Sequence, residues 1–257
     1  MTTVNEAIKE MIATKKVDTG KVQGLSRQII AETNNILTGV LLNFEDLPGI
    51  ALSSEACLNY FLQSGPKESL RSILRQGINQ KPGMRMKINS AYRTVAQQHI
   101  LRQIYERGHL NLVPLAARPG RSNHEDGLAI DVDNYGDWKA LLLKNGWDWQ
   151  GDTDPVHFYN DSGRDDVGDL GVKAFQRLWN RYNPNDQMTV DGDFGEQCAV
   201  RMNKAPIDGF VTIRIFKVGS TGEVVKKIQQ ALTNAGFPVP INEIGRASCR
   251  ERVLMPV

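Results

Sequence analysis

The chain has 257 residues, enough for one mid-sized domain and one or two smaller ones. Hydrophobic residues make up 40% and charged residues 23% of it, which is ordinary for a globular protein and argues against global disorder. The formal net charge is only +2, and the basic residues are scattered among acidic ones. We therefore expect a folded protein that does not bind nucleic acid.

The cysteines and the N-terminus exclude two further classes. Cys57, Cys198 and Cys249 are far apart and form no CxxC pair, so neither a disulfide framework nor a cysteine zinc site is indicated. We interpret Cys57 and Cys198 as small buried residues. The N-terminal segment lacks the apolar core of a secretory signal, and no segment of the sequence could span a membrane.

Residues 1–80 are predicted to be mostly helical. Apolar side chains recur at helical spacing from Val22 to Ile36 and from Leu58 to Ile78, the second run being interrupted by Gly65-Pro66. This region offers no recognisable chemistry.

The pattern changes from residue 81 to residue 163. Met84, Met86 and Ile88 alternate with polar residues, which predicts a strand. Thr94 and Gln97 then form a candidate capping box for a helix. Gly108 is expected to end that helix. A loop rich in Pro, Gly and Arg follows it.

Two more strands are predicted, at 128–132 and 155–159, with a short helix between them. Asp137 is a candidate cap for that helix, which is expected to run from Trp138 to Lys144. Short strands mixed with segregated helices indicate an α+β domain.

Residues after 163 are predicted to be helical again, with a weak internal repeat. A helix containing Gln176-Arg-Leu-Trp179 precedes Asp191-Gly-Asp-Phe-Gly195, and a similar Gln-x-x-Leu helix occurs near Gln229. We expect one helical module at 166–210 and a truncated second copy at 214–242. The last residues, 243–257, break the second copy and are interpreted as an anomalous tail.

The chemistry is concentrated in one segment. It reads Ser122-Asn-His124-Glu-Asp-Gly127-Leu-Ala129-Ile-Asp131 and is followed by Asp154-Pro-Val-His157. A catalytic zinc takes three nitrogen or oxygen ligands and keeps a fourth position for water, and His124, Asp131 and His157 supply such a set. Asp154 is the candidate base that takes a proton from that water. Gly127 and Ala129 are small enough for the backbone to bend between the ligands.

Arg93 ends a predicted strand, and its forked, permanently charged donors suit an oxyanion or a substrate carboxylate. A plain salt bridge is the alternative for Arg93, and a loop cap is the alternative for Ser122. Asp133 competes with Asp131 as a ligand because both lie on one face of a strand. Glu125 is expected to be a solvated loop charge, since a His-Glu-x-x-His motif is absent.

Five other side chains have functional interpretations that the sequence pattern does not support further. His99 and His109 have no partner pattern and are expected to be structural or exposed. Trp138 is expected to pack its helix onto the sheet, whereas the roles of Trp147 and Trp149 stay open.

Three motif blocks in this order resemble a known family. Ser-x-Tyr-Arg, Ser-x-His-x-x-Gly-x-Ala-x-Asp and acidic-x-x-His-aromatic, over roughly residues 82–160, resemble the zinc D-alanyl-D-alanine carboxypeptidases and L-alanyl-D-glutamate endopeptidases, including VanY-like and endolysin-like members. The resemblance implies a small antiparallel sheet with flanking helices, similar to DD-peptidases and hedgehog domains. It also implies one zinc ion on His124, Asp131 and His157, with Asp154 as general base.

The same resemblance implies that Arg93 and Ser122 contact the substrate or the developing oxyanion. Asp154 departs from many carboxypeptidases, which have glutamate there, and this favours the endopeptidase branch without deciding it. Residues 166–210 resemble a peptidoglycan-binding module through their Gln-x-x-Leu and Asp-Gly-x-Phe-Gly patterns. Such a module would raise the effective concentration of the scissile bond.

These observations predict zinc-dependent hydrolysis of peptidoglycan stem peptides. The alternative is a non-catalytic wall-binding protein with a structural or vestigial metal site. Peptidoglycan is the expected partner, and we expect a monomer. With no secretory signal in the sequence, we expect a protein that acts on the bacterial cell wall but stays cytoplasmic until it is released or exported by another route.

Overall fold

The computed structural model describes most of the chain. The described residues are 1–52, 59–162 and 165–210, together with 226, 229 and 230. The chain divides into two compact units, Met1–Phe210 and Val211–Val257. Every helix within the described residues is too short or too polar to cross a membrane.

Several predicted features lie outside the described residues. Cys57, Cys249 and the predicted tail at 243–257 are among them, as is nearly all of the predicted second copy at 214–242.

The described part of the first unit contains seven α-helices, one 3-10 helix at Thr19–Val22 and seven short strands. The α-helices are α1 Val4–Thr14, α2 Gln23–Ile36, α3 Ser64–Gln80, α4 Val95–Glu106, α5 Tyr135–Lys144, α6 Val167–Tyr182 and α7 Glu196–Lys204. The strands are β1 Leu42–Asn43, β2 Ile50–Leu52, β3 Phe61–Leu62, β4 Met86–Ser90, β5 Ala129–Val132, β6 Asp148–Trp149 and β7 His157–Tyr159. The predicted α+β class is confirmed.

The first 80 residues are mostly helical, as predicted, but three short strands lie among the helices. The second predicted helix begins later than expected, because α3 starts at Ser64 and Pro66 stands in its first turn. Proline is tolerated there, since the first N–H groups of a helix have no intrahelical acceptor.

The caps of α4 and α5 were predicted with different success. Thr94 and Gln97 form the predicted capping box, in which the Thr94 hydroxyl accepts from the Gln97 N–H and the Gln97 side chain accepts from the Thr94 N–H. The predicted cap of α5 is wrong. Asn134 is the N-cap and Asp137 lies in the first turn, where its charge faces the positive end of the helix dipole.

The main sheet has five strands in the order β2-β4-β5-β7-β6. Its pairs are antiparallel, as predicted, except that β2 runs parallel to β4. In the pairing of β5 with β7, Asp131 lies directly opposite His157. The register of β4 and β5 shifts between Ile88 and Ser90, where Ser90 faces Asp131. The sheet register therefore brings two predicted ligands onto neighbouring strands.

Two large hydrophobic cores support this arrangement. One lies between the sheet and helices α3 and α5 and contains the fully buried Trp138, which confirms its packing role. The other holds α1, α2, α4, α6 and α7 together. The predicted module at 166–210 supplies α6 and α7 to this second core, and α6 packs along α2. The division of the chain into functional modules stays a prediction.

Candidate metal centre

Three predicted ligands meet at one point. His124 Nε2 lies 3.1 Å from His157 Nδ1 and 3.3 Å from an Asp131 carboxylate oxygen. The same Asp131 oxygen lies 3.0 Å from His157 Nδ1. Strands β5 and β7 supply Asp131 and His157, and the turn before β5 supplies His124. We call these three residues the triad.

The turn that carries His124 is held by its backbone. The N–H groups of Glu125 and Asp126 both donate to the Ser122 carbonyl, and the Gly127 N–H donates to the His124 carbonyl. Gly127 has a φ of +67°, and an added Cβ would lie 3.1 Å from the Leu41 side chain. Only glycine adopts that backbone conformation without strain, which explains the glycine of the motif.

The second nitrogen of His124 fixes its tautomer. Nδ1 lies 2.7 Å from the Ala91 carbonyl oxygen, which can only accept, so Nδ1 carries the proton. His124 Nε2 therefore turns a lone pair toward Asp131 and His157. A backbone carbonyl behind a metal-binding histidine is a common support for such a ligand.

The three ligand atoms fit a small divalent cation. In a tetrahedral zinc site with bonds of about 2.0–2.1 Å, neighbouring ligand atoms lie about 3.3 Å apart. The triad distances of 3.0–3.3 Å match that spacing. Without a cation the single Nδ1 proton of His157 could satisfy only one of its two close neighbours. The set His124, Asp131 and His157 could thus hold a metal ion.

Asp133 does not share this point. Its carboxylate accepts a hydrogen bond of 3.0 Å from Asn89, and it is exposed beyond the end of β5. Of the two aspartates that the strand pattern left open, the structure brings only Asp131 to the histidines.

The protonation states of the triad suit a metal cation. Burial opposes the ionisation of Asp131, but its two histidine neighbours, His124 and His157, outweigh that effect and hold the pKa of Asp131 below its usual range. Burial lowers the pKa of His124, against the opposing charge of Asp131. An ionised carboxylate beside a neutral imidazole is the protonation state that binds a metal cation.

Arg93 lies at the edge of the same site. Its N–H donates to the His124 carbonyl at 3.1 Å, and its Nη1 donates to the Gln98 side chain. Burial lowers the pKa of Arg93, while the negative charges of Asp131, Glu125 and Asp154 oppose that shift. Arg93 is thus a positive charge among carboxylates rather than one half of a single salt bridge.

Ser122 and Asp154 are close to the triad in sequence and make mainly backbone contacts. Ser122 shapes the turn through its carbonyl, which accepts from the N–H groups of Glu125 and Asp126. Asp154 is exposed, and its carbonyl accepts from the N–H of the predicted ligand His157 at 3.1 Å. The catalytic role of Asp154 and the substrate role of Ser122 stay predictions.

Glu125 was wrongly expected to be solvated. It is only 2% exposed, and its carboxylate accepts from the N–H groups of Gly120 at 2.8 Å and Ser122 at 3.3 Å. Burial raises the pKa of Glu125 to about 8, against the opposing effects of these donors and of Arg93. The spacing Ser-x-x-Glu was the available signal, because glutamate three residues after a turn residue often returns to its backbone N–H.

A cleft of about 650 Å³ opens beside the triad. Its lining includes Arg93 and Asp131, so a substrate in the cleft would reach both. Residues Lys16–Gly20, from the segment between α1 and the 3-10 helix, also line it. No pattern in the sequence indicated that this segment lies near the site.

Comparison with known proteins agrees with this geometry. Residues 62–150 match the family model of VanY, D-alanyl-D-alanine carboxypeptidase. No curated protein matches the chain. The match includes Arg93, His124 and Asp131 and ends before Asp154 and His157. The pairing of β7 with β5 brings His157 back to Asp131. Residues 62–150 are therefore a VanY-like segment, similar to the family described as D-alanyl-D-alanine carboxypeptidase.

Proposed function

We propose that the protein is a zinc-dependent peptidase that hydrolyses peptide bonds in peptidoglycan stem peptides. The observation that carries the proposal is the triad, in which His124, Asp131 and His157 bring three ligand atoms to within 3.3 Å of one another. The family match supplies the substrate class.

In this proposal His124 Nε2, one Asp131 oxygen and His157 Nδ1 would hold the zinc ion. When bound, the ion supplies a Lewis acid that polarises a water molecule and the scissile carbonyl group. The Ala91 carbonyl keeps the His124 ring oriented by accepting from Nδ1. Asp131 supplies the negative charge of the set.

The remaining chemistry is proton transfer and charge stabilisation by the chain's own side chains. Asp154 takes a proton at a carboxylate oxygen from the attacking water and later gives it to the leaving amine nitrogen. Arg93 stabilises the negative charge that develops on the carbonyl oxygen. Asp154 is near enough to Arg93 to influence its pKa, which supports a shared site.

A purely structural metal site is less well supported. Structural zinc sites usually close with a fourth protein ligand, whereas catalytic sites keep one position open. Within the described residues, no fourth histidine, cysteine, aspartate or glutamate joins the triad. A non-catalytic wall-binding protein would not need an open position beside a cleft.

The scissile bond is either D-Ala–D-Ala or L-Ala–D-Glu in this proposal. We further propose that residues 166–210 hold the enzyme on the wall and that the protein acts there as a monomer. Asp154 in place of glutamate favours the endopeptidase type modestly, since the shorter side chain must be brought nearer by the backbone.

Digestion of purified peptidoglycan, followed by mass spectrometry of the soluble products, tests the activity. We expect either released D-alanine or new N-terminal glutamate, loss of products after chelation, and recovery when zinc is added back. A protein that holds one zinc ion per chain yet releases no fragment would contradict the enzymatic proposal. Undiminished cleavage after complete metal removal would contradict its zinc dependence.

A further inference from the structure

Two segments that are distant in sequence form the cleft beside the triad. Asn89–Arg93 and Asp131 come from the part of the chain that matches the carboxypeptidase family. Lys16–Gly20 comes from the N-terminal helical region, which lies outside the matched residues 62–150. The N-terminal region therefore contributes a surface that any substrate in this cleft would face.

The backbone holds this N-terminal segment in place. Lys15 ends α1 with a φ of 54°, and among the described residues it is the one non-glycine residue with a positive φ. The Lys16 N–H donates to the Met11 carbonyl at 3.1 Å, which closes the end of α1. Asp18 then caps the 3-10 helix by accepting from the Gly20 N–H at 2.9 Å. This side of the cleft is therefore formed before substrate binds, which limits the conformational entropy lost on binding.

The charged side chains in and beside the Lys16–Gly20 segment differ in whether they already have a partner. The Asp18 carboxylate already accepts from Gly20, and Lys21 pairs with Glu10 at 2.5 Å. Lys16 is exposed and, within the described part of the chain, has no carboxylate within ion-pair distance. Its ammonium group is thus available to a negative charge that enters the cleft.

We propose that Lys16 binds a free carboxylate of the stem peptide, so that the Lys16–Gly20 segment selects substrates by charge. This inference rests on the proposed function. We assign the α-carboxylate of the glutamate residue to Lys16, because it is internal to the stem and is present whichever of the two bonds is cut. An ammonium–carboxylate hydrogen bond is stronger than one to a neutral amide, which would give discrimination between the two.

The test uses zinc-loaded full-length protein and two synthetic stem peptides that differ only in this group, one with the free carboxylate and one with the amide. The variants are Lys16→Gln, Lys16→Arg and, as a matched control, Lys9→Gln. Lys9 is an exposed lysine of α1 that does not line the cleft. For each protein kcat and KM are measured with both peptides, and zinc content is measured in parallel.

We expect the wild-type protein to prefer the carboxylate peptide by about three- to tenfold in KM, the range expected of a partly exposed ion pair. Lys16→Gln should lose this preference through a higher KM for the carboxylate peptide, with its zinc content intact. Lys16→Arg and Lys9→Gln should keep the preference.

Two results separate the failure of this inference from the failure of the proposed function. Cleavage of purified peptidoglycan by the wild-type protein, with no preference between the peptides or with a preference that survives in Lys16→Gln, overturns the inference alone. A wild-type protein that cleaves neither peptidoglycan nor peptide overturns the proposed function, and the inference falls with it.

Discussion

His99 and His124 are both buried, yet they lie in two differently built parts of the molecule. His99 stands on α4 in the helical core, where its Nε2 lies 2.9 Å from the Asn203 side-chain oxygen. His124 stands in the turn before β5, with Nδ1 on the Ala91 carbonyl and Nε2 facing the rest of the triad. Burial lowers the pKa of both residues, so burial and pKa do not distinguish them.

The partners of the two histidines do distinguish them. In the helical part, buried polar groups pair with groups of the opposite kind, as Gln176 does with Asp191 and with the backbone of Gly192. The hydrogen bonds of Gln176 and His99 need no ligand to complete them. At the triad, three atoms that can each offer a lone pair converge, and a bound cation would satisfy all three. Convergence of acceptors, rather than burial of a histidine, marks the candidate site.

Among the tests of this contrast, His124→Ala has the largest expected effect. Removal of one of three ligands should abolish stoichiometric zinc binding and lower kcat/KM for peptidoglycan fragments by about a thousandfold or more, because the metal would supply most of the charge stabilisation. Zinc per chain by atomic absorption and turnover by mass spectrometry measure the two effects.

The matched control is His99→Gln, which removes an equally buried imidazole from the helical core. It should lower the melting temperature but leave one zinc ion per chain. Full activity in His124→Ala, or zinc loss in a folded His99→Gln protein, would remove the distinction between the two regions.

A second test separates metal binding from proton transfer. Asp154→Asn should keep one zinc ion per chain and lower kcat by about a hundredfold to ten-thousandfold, the usual contribution of a general base. Asp152→Asn, on an exposed residue of the same loop, is the control and should stay near the wild-type rate. Zinc loss in Asp154→Asn would reassign Asp154 as a ligand, and an unchanged rate would end its catalytic assignment.

The sequence predicted the triad better than its surroundings, for a physical reason. Metal ligands have fixed spacing in a short motif, so His124 and Asp131 could be recognised together. Glu125 was misjudged because its burial depends on where the chain folds back at Gly120. The presence of Lys16 in the lining of the cleft depends on how α1 packs against α4, which no local pattern encodes.

The secondary structure shows the same difference between features that local sequence predicts and features that depend on long-range packing. The capping box of Thr94 and Gln97 was predictable because its partners are three residues apart. The parallel pairing of β2 with β4 was not, since it joins residues about 35 positions apart and depends on tertiary packing. Local hydrogen bonding could thus be predicted, and long-range pairing had to be observed.

A third test concerns Glu125, the buried carboxylate beside the triad. Glu125→Ala should lower the free energy of unfolding by about 2–4 kcal/mol, because it leaves the N–H groups of Gly120 and Ser122 without their acceptor. Urea denaturation measures the change. Glu68→Ala, which removes an exposed glutamate paired with Arg71, should change it by about 0.5 kcal/mol or less. Equal effects in the two variants would contradict a supporting role for Glu125.

The smallest expected effects come from the helical part, where Glu32 on α2 is held by two arginines of α6. Its side chain is 4% exposed, and its two oxygens lie 3.4 Å from Arg177 and 2.9 Å from Arg181. Each arginine is about half exposed, so Arg177→Ala or Arg181→Ala alone should lower the free energy of unfolding by about 0.5–1 kcal/mol, since the other arginine keeps the carboxylate paired.

The double variant removes both partners of a buried charge, so its cost should exceed the sum of the single costs by about 1 kcal/mol. Urea denaturation of the four proteins measures this coupling, and zinc content should stay at one per chain throughout. Strict additivity would show that the two arginines act independently on Glu32, and the helical part would then lack the closed polar network that sets it apart from the triad.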